Sequence, residues 1–150
     1  MPAGDGFRIA IRLARATDAS RCAEIFLNGR RKAFSWHPAD RFGLDDYYDC
    51  VREDAVLVAE VDNGVVGFVS IDPPAGFIHN LFIDGAWHNR GIGSALLREA
   101  LGLVQGSALL ACAARNASAR AFYEHNGWTP IPARSDEPEP LVLYRLSRTG

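Results

Sequence analysis

The feature that constrains the fold most is a pair of β-rich runs joined by a short polar turn. The runs are AVLVAEV (residues 55–61) and VVGFVSI (residues 65–71), with Asp62-Asn63-Gly64 between them. Turn residues of this kind supply the positive φ angles that tight hairpins require. The sequence therefore predicts an antiparallel hairpin, which FIHNLFID (residues 77–84) extends as a third strand after the Pro/Gly-rich turn at 72–76.

Helical and strand-like segments alternate in the rest of the chain. Apolar residues recur at i, i+3 and i+4 spacing in four segments, as in helices with one buried face: 22–33, 44–51, 91–104 and 116–126. Three further segments have strand character: 7–14, which alternates apolar residues with Arg, 108–114, which is almost entirely apolar, and 141–147. This order predicts an α+β fold, a mixed and mostly antiparallel sheet flanked by helices.

Length and charge narrow the class of protein. The 150 residues fit a single domain, which we take as 1–150 with residues 1–6 as a flexible leader. The net charge of −2 gives no general attraction to nucleic acid, and no apolar run is long enough to span a membrane. The three cysteines are widely spaced and odd in number, which favours a reducing, cytoplasmic location. The four histidines have no i, i+4 pair, so we expect no metal site.

The stretch LFIDGAWHNRGIGSALL (residues 81–97) combines a strand, a glycine-bearing loop and a helix. Backbone amides at a helix start have no intrahelical partner, and the helix dipole adds partial positive charge there. Gly91 and Gly93 lack Cβ atoms, which lets an anion approach the backbone closely. More hydrogen-bond donors precede them on the same rim: His88, Asn89 and Arg90. The stretch therefore predicts an oxyanion site of the pyrophosphate kind.

The two glycines have three other possible interpretations. The dinucleotide fingerprint requires a third Gly where Leu96 stands, and the P-loop requires a Lys that follows neither glycine. Both patterns fail. The remaining alternative is that Gly91 and Gly93 simply form a tight turn into a helix, which two glycines alone would favour.

The wider context resembles the GNAT superfamily of acetyl-CoA-dependent N-acetyltransferases. Its central motif is a strand ending L-x-V, a loop [Q/R]-x-x-G-x-[G/A] and an amphipathic helix. Residues 81–83 (LFI), 88–93 (HNRGIG) and the following helix stand in those places. His88 is a departure, because the family usually has Gln or Arg there. A second pattern, N-x-x-A-x-x-x-Y-x-x-x-G-[FW], is matched by Asn116, Ala119, Tyr123, Gly127 and Trp128.

The resemblance implies a GNAT fold whose sheet is splayed between the fourth and fifth strands, at 77–83 and 108–114. It also implies that acetyl-CoA binds as acyl donor, with its pantetheine arm in the split, and that an amine attacks the thioester directly in a ternary complex. The residues implied in cofactor binding are Leu81, Phe82, Ile83, His88, Asn89, Arg90, Gly91, Ile92, Gly93, Ser94, Asn116, Ala119 and Tyr123.

Two residues are candidates for proton transfer. Tyr123 stands where many members of the family carry the tyrosine that protonates the leaving sulfur; its alternative is a buried helix aromatic. His79 is the candidate base, since strand alternation would put it on one face with Phe77 and Leu81, and imidazole titrates near neutral pH. Its alternatives are a histidine bonded to a neighbour or a proton relay through Glu60 or Asp72.

Aromatic residues before the hairpin occupy the segment that covers the acceptor in the family. We therefore take Trp36, His37 and Tyr47 as acceptor-site candidates, with ordinary helix packing as the alternative for the aromatics at helical spacing. The resulting hypothesis is a cytoplasmic N-acetyltransferase acting on a small-molecule or peptide amine, a monomer or homodimer. The alternative hypothesis is a non-catalytic module that binds acyl-CoA, with a cofactor-free interaction protein of related fold as a third.

Overall fold

In the computed structural model, which describes residues 8–131 and 139–147, seven strands and four α-helices follow one another along the chain. The strands are β1 Ala10–Leu13, β2 Ala55–Val61, β3 Gly64–Asp72, β4 Phe77–Ile83, β5 Ala108–Ala113, β6 Thr129–Ile131 and β7 Leu141–Leu146. The helices are α1 Ala19–Ala33, α2 Asp46–Cys50, α3 Ile92–Leu101 and α4 Ala117–His125. The strands form one sheet in the order β1-β2-β3-β4-β5-β7-β6.

The predicted hairpin is present as β2 and β3. Asp62 and Asn63 adopt φ angles of 52° and 67°, the left-handed conformation that the turn requires. β1 to β4 pair antiparallel in sequence order, so the third strand of the meander is also confirmed. The expected α+β class, a mixed and mostly antiparallel sheet with helices on its faces, is therefore correct.

The sheet splits between its fourth and fifth strands. β4 and β5 run parallel and pair only at Phe77 with Leu109 and at Ile78 with Leu110, after which they diverge. β5 meanwhile pairs with β7 along all six of its residues. The carboxyl halves of β4 and β5 thus form the two walls of a wedge, which confirms the splay that the family resemblance implied.

A β-bulge interrupts β4 at the mouth of this wedge. Asn80 pairs with Ser70 and Ile78 with Ile71, so His79 is an additional residue between two regular pairs. Such a bulge breaks the alternation of side chains along a strand. Consequently the expected sharing of a face holds for His79 and Phe77, whose rings lie 5.0 Å apart, but strict alternation does not extend to Leu81.

Each face of the sheet buries its own apolar cluster. On one face α1 and α2 cover β2 and β3, with Phe26, Tyr47, Val58 and Phe68 at the centre. The opposite face packs against α3, with Ile92, Leu96, Val69 and Ile71 among its most buried side chains. Alternation along β2 and β3 assigns neighbouring residues to opposite clusters, as expected for a sheet that is covered on both faces.

One strand of the sheet, β6, differs from the sequence prediction. The short strand β6, which pairs with β7, was not predicted, because a three-residue segment with Pro130 at its centre lacks the length and propensity of a strand. The leader expected at 1–6 lies outside the described residues.

Candidate active site

The wedge between β4 and β5 opens into a cleft of about 290 Å³. One wall is β4 and the other is β5, and residues of α1, α2 and α4 also line the cleft. The lining includes residues expected in catalysis or donor binding: His79, Leu81, Phe82, Asn116, Ala119 and Tyr123. Residues that the two sequence motifs carry 34 positions or more apart thus meet at one cleft.

The loop before α3 leaves room for an anion. Gly91 occupies the N-cap position of α3 with φ of 80°, and a Cβ placed on it would meet nothing within 4 Å. A non-glycine residue would be strained there, and a Cβ would occupy the space that the glycine leaves open. The free amides of the first helical turn follow directly, so the helix start fits a pyrophosphate group.

A different structural reason explains why position 93 is a glycine. A Cβ at this position would lie 3.1 Å from Cζ of Phe122 on α4, which is tighter than ordinary van der Waals contact. The missing side chain therefore allows α3 and α4 to approach each other. Ser94 strengthens the same helix contact, since its hydroxyl donates to Oδ1 of Asn126 at 3.1 Å.

The donors preceding Gly91 are partly engaged by the protein itself. His88 Nε2 donates to the carbonyl of Ile83 at 3.0 Å, which fixes the loop to the end of β4. The guanidinium of Arg90 lies 5.1 Å from the ring centroid of Trp87, and Asn89 has a left-handed φ of 62°. Ile92 is in the core, 1% exposed, so its side chain anchors the helix start rather than the ligand.

Asn116 is the N-cap of α4. Its Oδ1 accepts a hydrogen bond from the backbone amide of Ala119 at 3.1 Å, which explains why the motif spaces these two residues three apart. Asn116 also lines the cleft, with its carboxamide nitrogen outside that capping bond. The residue therefore fixes the orientation of the helix that carries Tyr123.

Tyr123 presents a phenol to the cleft. Its ring packs near Phe122, Trp128 and Tyr144, with centroid distances of 5.3 to 6.3 Å. Within the described residues its hydroxyl has no hydrogen-bond partner, and no fully buried polar atom lacks one. Burial, and to a lesser degree the nearby Cys112, raises the pKa of Tyr123 above its usual value. The phenol is thus a protonated, unengaged donor.

His79 forms a pair that the sequence did not reveal. Its Nδ1 lies 2.8 Å from Oδ2 of Asp54, whose side chain is only 6% exposed. A carboxylate accepts the Nδ1 proton, so in the neutral ring Nε2 is the acceptor, and it has no partner among the described residues. Asp54 stands 25 positions before His79, just ahead of β2, and no local signal connects the two.

The loop after α1 brings Trp36 and His37 to Glu139, just before β7. Trp36 Nε1 donates to Glu139 Oε1 at 3.2 Å, and His37 Nε2 makes a short contact with the same oxygen. Arg41 lies 2.7 Å from His37 Nδ1, so this nitrogen is the acceptor and Nε2 carries the proton. These side chains line a second pocket beside the cleft.

Tyr47 lies elsewhere. It is 3% exposed and packs edge-on against Phe26, Phe68 and Tyr48 in the core beneath α1. It lines neither the cleft nor the pocket. The expectation of an acceptor contact therefore gives way to the alternative, in which helical spacing of aromatics reflects packing. Burial in this core also raises the pKa of Tyr47 above its usual value.

Comparison with known families identifies the class. The family model described as acetyltransferase (GNAT) domain matches residues 52–130, from the start of the hairpin through α4. The match covers more than half of the chain and spans both sequence motifs. The chain belongs to the GNAT acetyltransferase domain family. No curated protein matches the sequence.

Several solved structures share the fold. YjaB from Escherichia coli, in its apo form, has a TM-score of 0.71 and 23% identity over 95% of this chain and 99% of its own. YncA from Salmonella typhimurium, with its cofactor acetyl-CoA, has a TM-score of 0.68 and 18% identity over 93% of each chain. PaiA N-acetyltransferase from Thermoplasma acidophilum, in complex with coenzyme A, has a TM-score of 0.67 and 17% identity over 94% of this chain and 99% of its own.

The described ranges also bear on membrane insertion and metal binding. Among residues 8–131 and 139–147, no helix is long and apolar enough to cross a membrane. Over the same residues, no group of three or more His, Cys, Asp or Glu side chains has an arrangement that would hold a metal ion.

Proposed function

We propose that this protein is an N-acetyltransferase that transfers the acetyl group of acetyl-CoA to an amine of a small molecule or peptide. The observation that carries the proposal is one cleft with three features. The sheet is split, the Tyr123 hydroxyl has no partner among the described residues, and His79, which is paired with Asp54, lines the same space. Membership of the GNAT family supports acetyl transfer in general.

The donor fits the open features of the wedge. Beyond Ile78, the β4 backbone is not paired with β5, and an extended amide-bearing arm such as pantetheine is able to use those groups as an added strand would. The pyrophosphate fits the open space before α3 at Gly91. The other donor-binding candidates keep supporting roles: Arg90 and Asn89 at the rim, and Gly93 and Ser94 in the helix contact.

Transfer requires two proton movements that the cleft is equipped to make. The amine must lose a proton before its nitrogen attacks the thioester carbonyl carbon, and His79 Nε2 is the free acceptor for that proton. As the C–N bond forms, the C–S bond breaks, and the phenol of Tyr123 donates its proton to the departing thiolate. The acylated nitrogen loses its second proton to solvent, which returns a proton to Tyr123 and removes the one on His79.

Asp54 gives this assignment a specific test. In the proposal, Asp54 is a positioning residue that holds His79 in the tautomer with Nε2 unprotonated. Asp54→Asn keeps the volume, but its carboxamide is free to donate to Nδ1 and stabilise the wrong tautomer. We expect kcat/KM for amine acetylation to fall by ~10²-fold, as on losing a general base, with acetyl-CoA affinity unchanged.

The assay is thiol release from acetyl-CoA over a panel of amines, run for wild type, Asp54→Asn and His79→Ala. Arg52→Gln serves as control, since Arg52 is exposed and, among the residues that the structure describes, is paired with Asp49 alone. Full activity in a folded His79→Ala variant would exclude the base role. Binding of acetyl-CoA without thiol release for any amine would favour the alternative, a non-catalytic acyl-CoA-binding module.

A further inference from the structure

A second pocket, of about 250 Å³, adjoins the cleft. The two spaces share Arg30, Phe34 and Ala113 in their linings, so they are continuous at the carboxyl end of β5. The pocket lies on the side of α1, whereas α3, whose start fits the pyrophosphate, covers the opposite face of the sheet. An acceptor entering from the α1 side would reach the cleft through this pocket.

The pocket is more positive than the chain that contains it. Among the described residues, three arginines line it, Arg30, Arg41 and Arg115, with Glu139 as the single carboxylate. With histidine counted as neutral, that is a net charge of +2 in a protein whose overall charge is −2. The excess is local, and it is placed beside the reacting end of the cleft rather than at the donor's phosphate end.

The three arginines differ in how far the protein already uses them. Arg30 lies between the rings of Phe26 and Phe42, at 4.8 and 4.5 Å, and pairs with Asp46 at 3.1 Å. Arg30 is therefore committed to the structure. Arg41 contacts His37 and lies 3.9 Å from Glu139.

Arg115 has no such commitment. Its guanidinium stacks 4.1 Å above the ring of Trp36, and it has no carboxylate partner among the described residues. Stacking holds the planar group in place and leaves its edge donors for another ligand. Trp36 is itself held by its bond to Glu139. A positioned, exposed and unpaired arginine beside an aromatic wall is a common arrangement for binding a carboxylate or a phosphorus oxyanion.

We infer that the acceptor is an amine that also carries an oxyanion, such as an amino acid or an aminophosphonate, and that Arg115, with Arg41, binds this anionic group. The inference rests on the proposed N-acetyltransferase function and names its substrate class. The same charge orients the molecule, because a positive pocket repels the ammonium end and directs it toward the cleft, where His79 lies.

The test uses matched acceptors that differ only in charge. For several amino acids, kcat/KM is measured for the free acid, the carboxamide and the corresponding decarboxylated amine, with acetyl-CoA as donor. An aminoalkylphosphonate of similar length distinguishes a carboxylate site from one for phosphorus oxyanions. We expect the anionic acceptors to be preferred by about tenfold or more, the effect of one charge-assisted hydrogen bond.

Arg115→Gln should remove this preference. Its kcat/KM for the anionic acceptors should fall about tenfold or more, while the values for carboxamides stay within about twofold of wild type. Arg98→Gln, an exposed arginine on α3 outside both linings, is the matched control. The Kd for acetyl-CoA is measured for each variant.

Each outcome decides the matter. Efficient acetylation of uncharged amines alone, equal losses for acids and amides, or turnover of no acceptor while acetyl-CoA binds would each overturn the anionic-acceptor inference. A raised Kd for acetyl-CoA in Arg115→Gln would also overturn it, by assigning this arginine to the donor. Failure of the wild type to bind acetyl-CoA would overturn the proposed function, and this inference with it.

Discussion

Tyr123→Phe is the substitution that separates chemistry from stability most cleanly in this protein. The change deletes one hydroxyl that has no hydrogen-bond partner among the described residues. No donor or acceptor in that part of the chain loses its partner, so the free energy of unfolding should change by less than about 0.5 kcal/mol. The ring contacts with Trp128 and Tyr144 remain.

The expected effect on catalysis is much larger. Loss of a positioned general acid costs typically 10²–10⁴-fold, and we expect the low end, ~10²-fold in kcat, because a thiolate is a moderately good leaving group. This corresponds to roughly 2.7 kcal/mol of transition-state stabilisation. Since burial raises the pKa of Tyr123, the phenol stays protonated through the working range, and kcat should show no loss of this acid below about pH 10.

Tyr144→Phe is the matched control. The Tyr144 hydroxyl accepts from Arg120 Nε at 3.2 Å and donates to Glu124 at 2.7 Å, in a residue that is fully buried. Its loss should lower the free energy of unfolding by about 1–2 kcal/mol and leave kcat unchanged. The assays are thiol release at saturating acetyl-CoA and urea unfolding. Full kcat in Tyr123→Phe would refute the acid role, and a large loss of stability would refute the claim that the hydroxyl is unengaged.

Three further expectations follow from the glycine loop and the thiols. Gly91→Asp should weaken acetyl-CoA binding by several kcal/mol, because a carboxylate would enter the anion space; unchanged affinity by calorimetry in a folded variant would exclude the pyrophosphate site. Gly93→Ala should cost about 1–3 kcal/mol of stability through its contact with Phe122, and Phe122→Leu in the same chain should recover part of it; no destabilisation on urea unfolding would contradict the steric role. Burial raises the pKa of Cys22 and of Cys112 from 9.0 to about 11, so the thiols of the unfolded chain lose their protons at lower pH than those of the folded chain. The free energy of unfolding should therefore fall as pH rises from 9 to 11, by at most about 3 kcal/mol per thiol. Urea midpoints that do not change over this pH range would contradict the prediction.

Local chemistry accounts for the parts of the fold that sequence inspection predicted. The turn at Asp62-Asn63-Gly64 requires left-handed backbone at its first two positions, and these residue types tolerate it. The spacing of Asn116 and Ala119 reflects a helix cap that is complete within four residues. Signals of this kind depend on neighbours in the chain, so one sequence is enough to recognise them.

The features that the sequence did not predict depend on distant partners. Asp54 was not singled out, because its role arises from His79, 25 positions away. The bulge at His79 depends on how β3 and β4 fit together, and strand alternation cannot anticipate it. The sequence pattern relates Gly93 to a ligand, whereas its nearest constraint in the structure is Phe122 on another helix. The roles of Tyr123, His79, Trp36 and His37 remain predictions.

The two-residue junction between β4 and β5 also bears on how the molecule opens in solution. β1 to β4 are continuous with one another through long antiparallel ladders, and β5, β6 and β7 form a second ladder system. With so few rungs joining them, we expect the two systems to behave as separate cooperative units in native-state hydrogen exchange. Amides of β7 should then exchange at a lower opening free energy than those of β3. A ligand that contacts both walls of the wedge should reduce the difference between the opening free energies of the β7 and β3 amides.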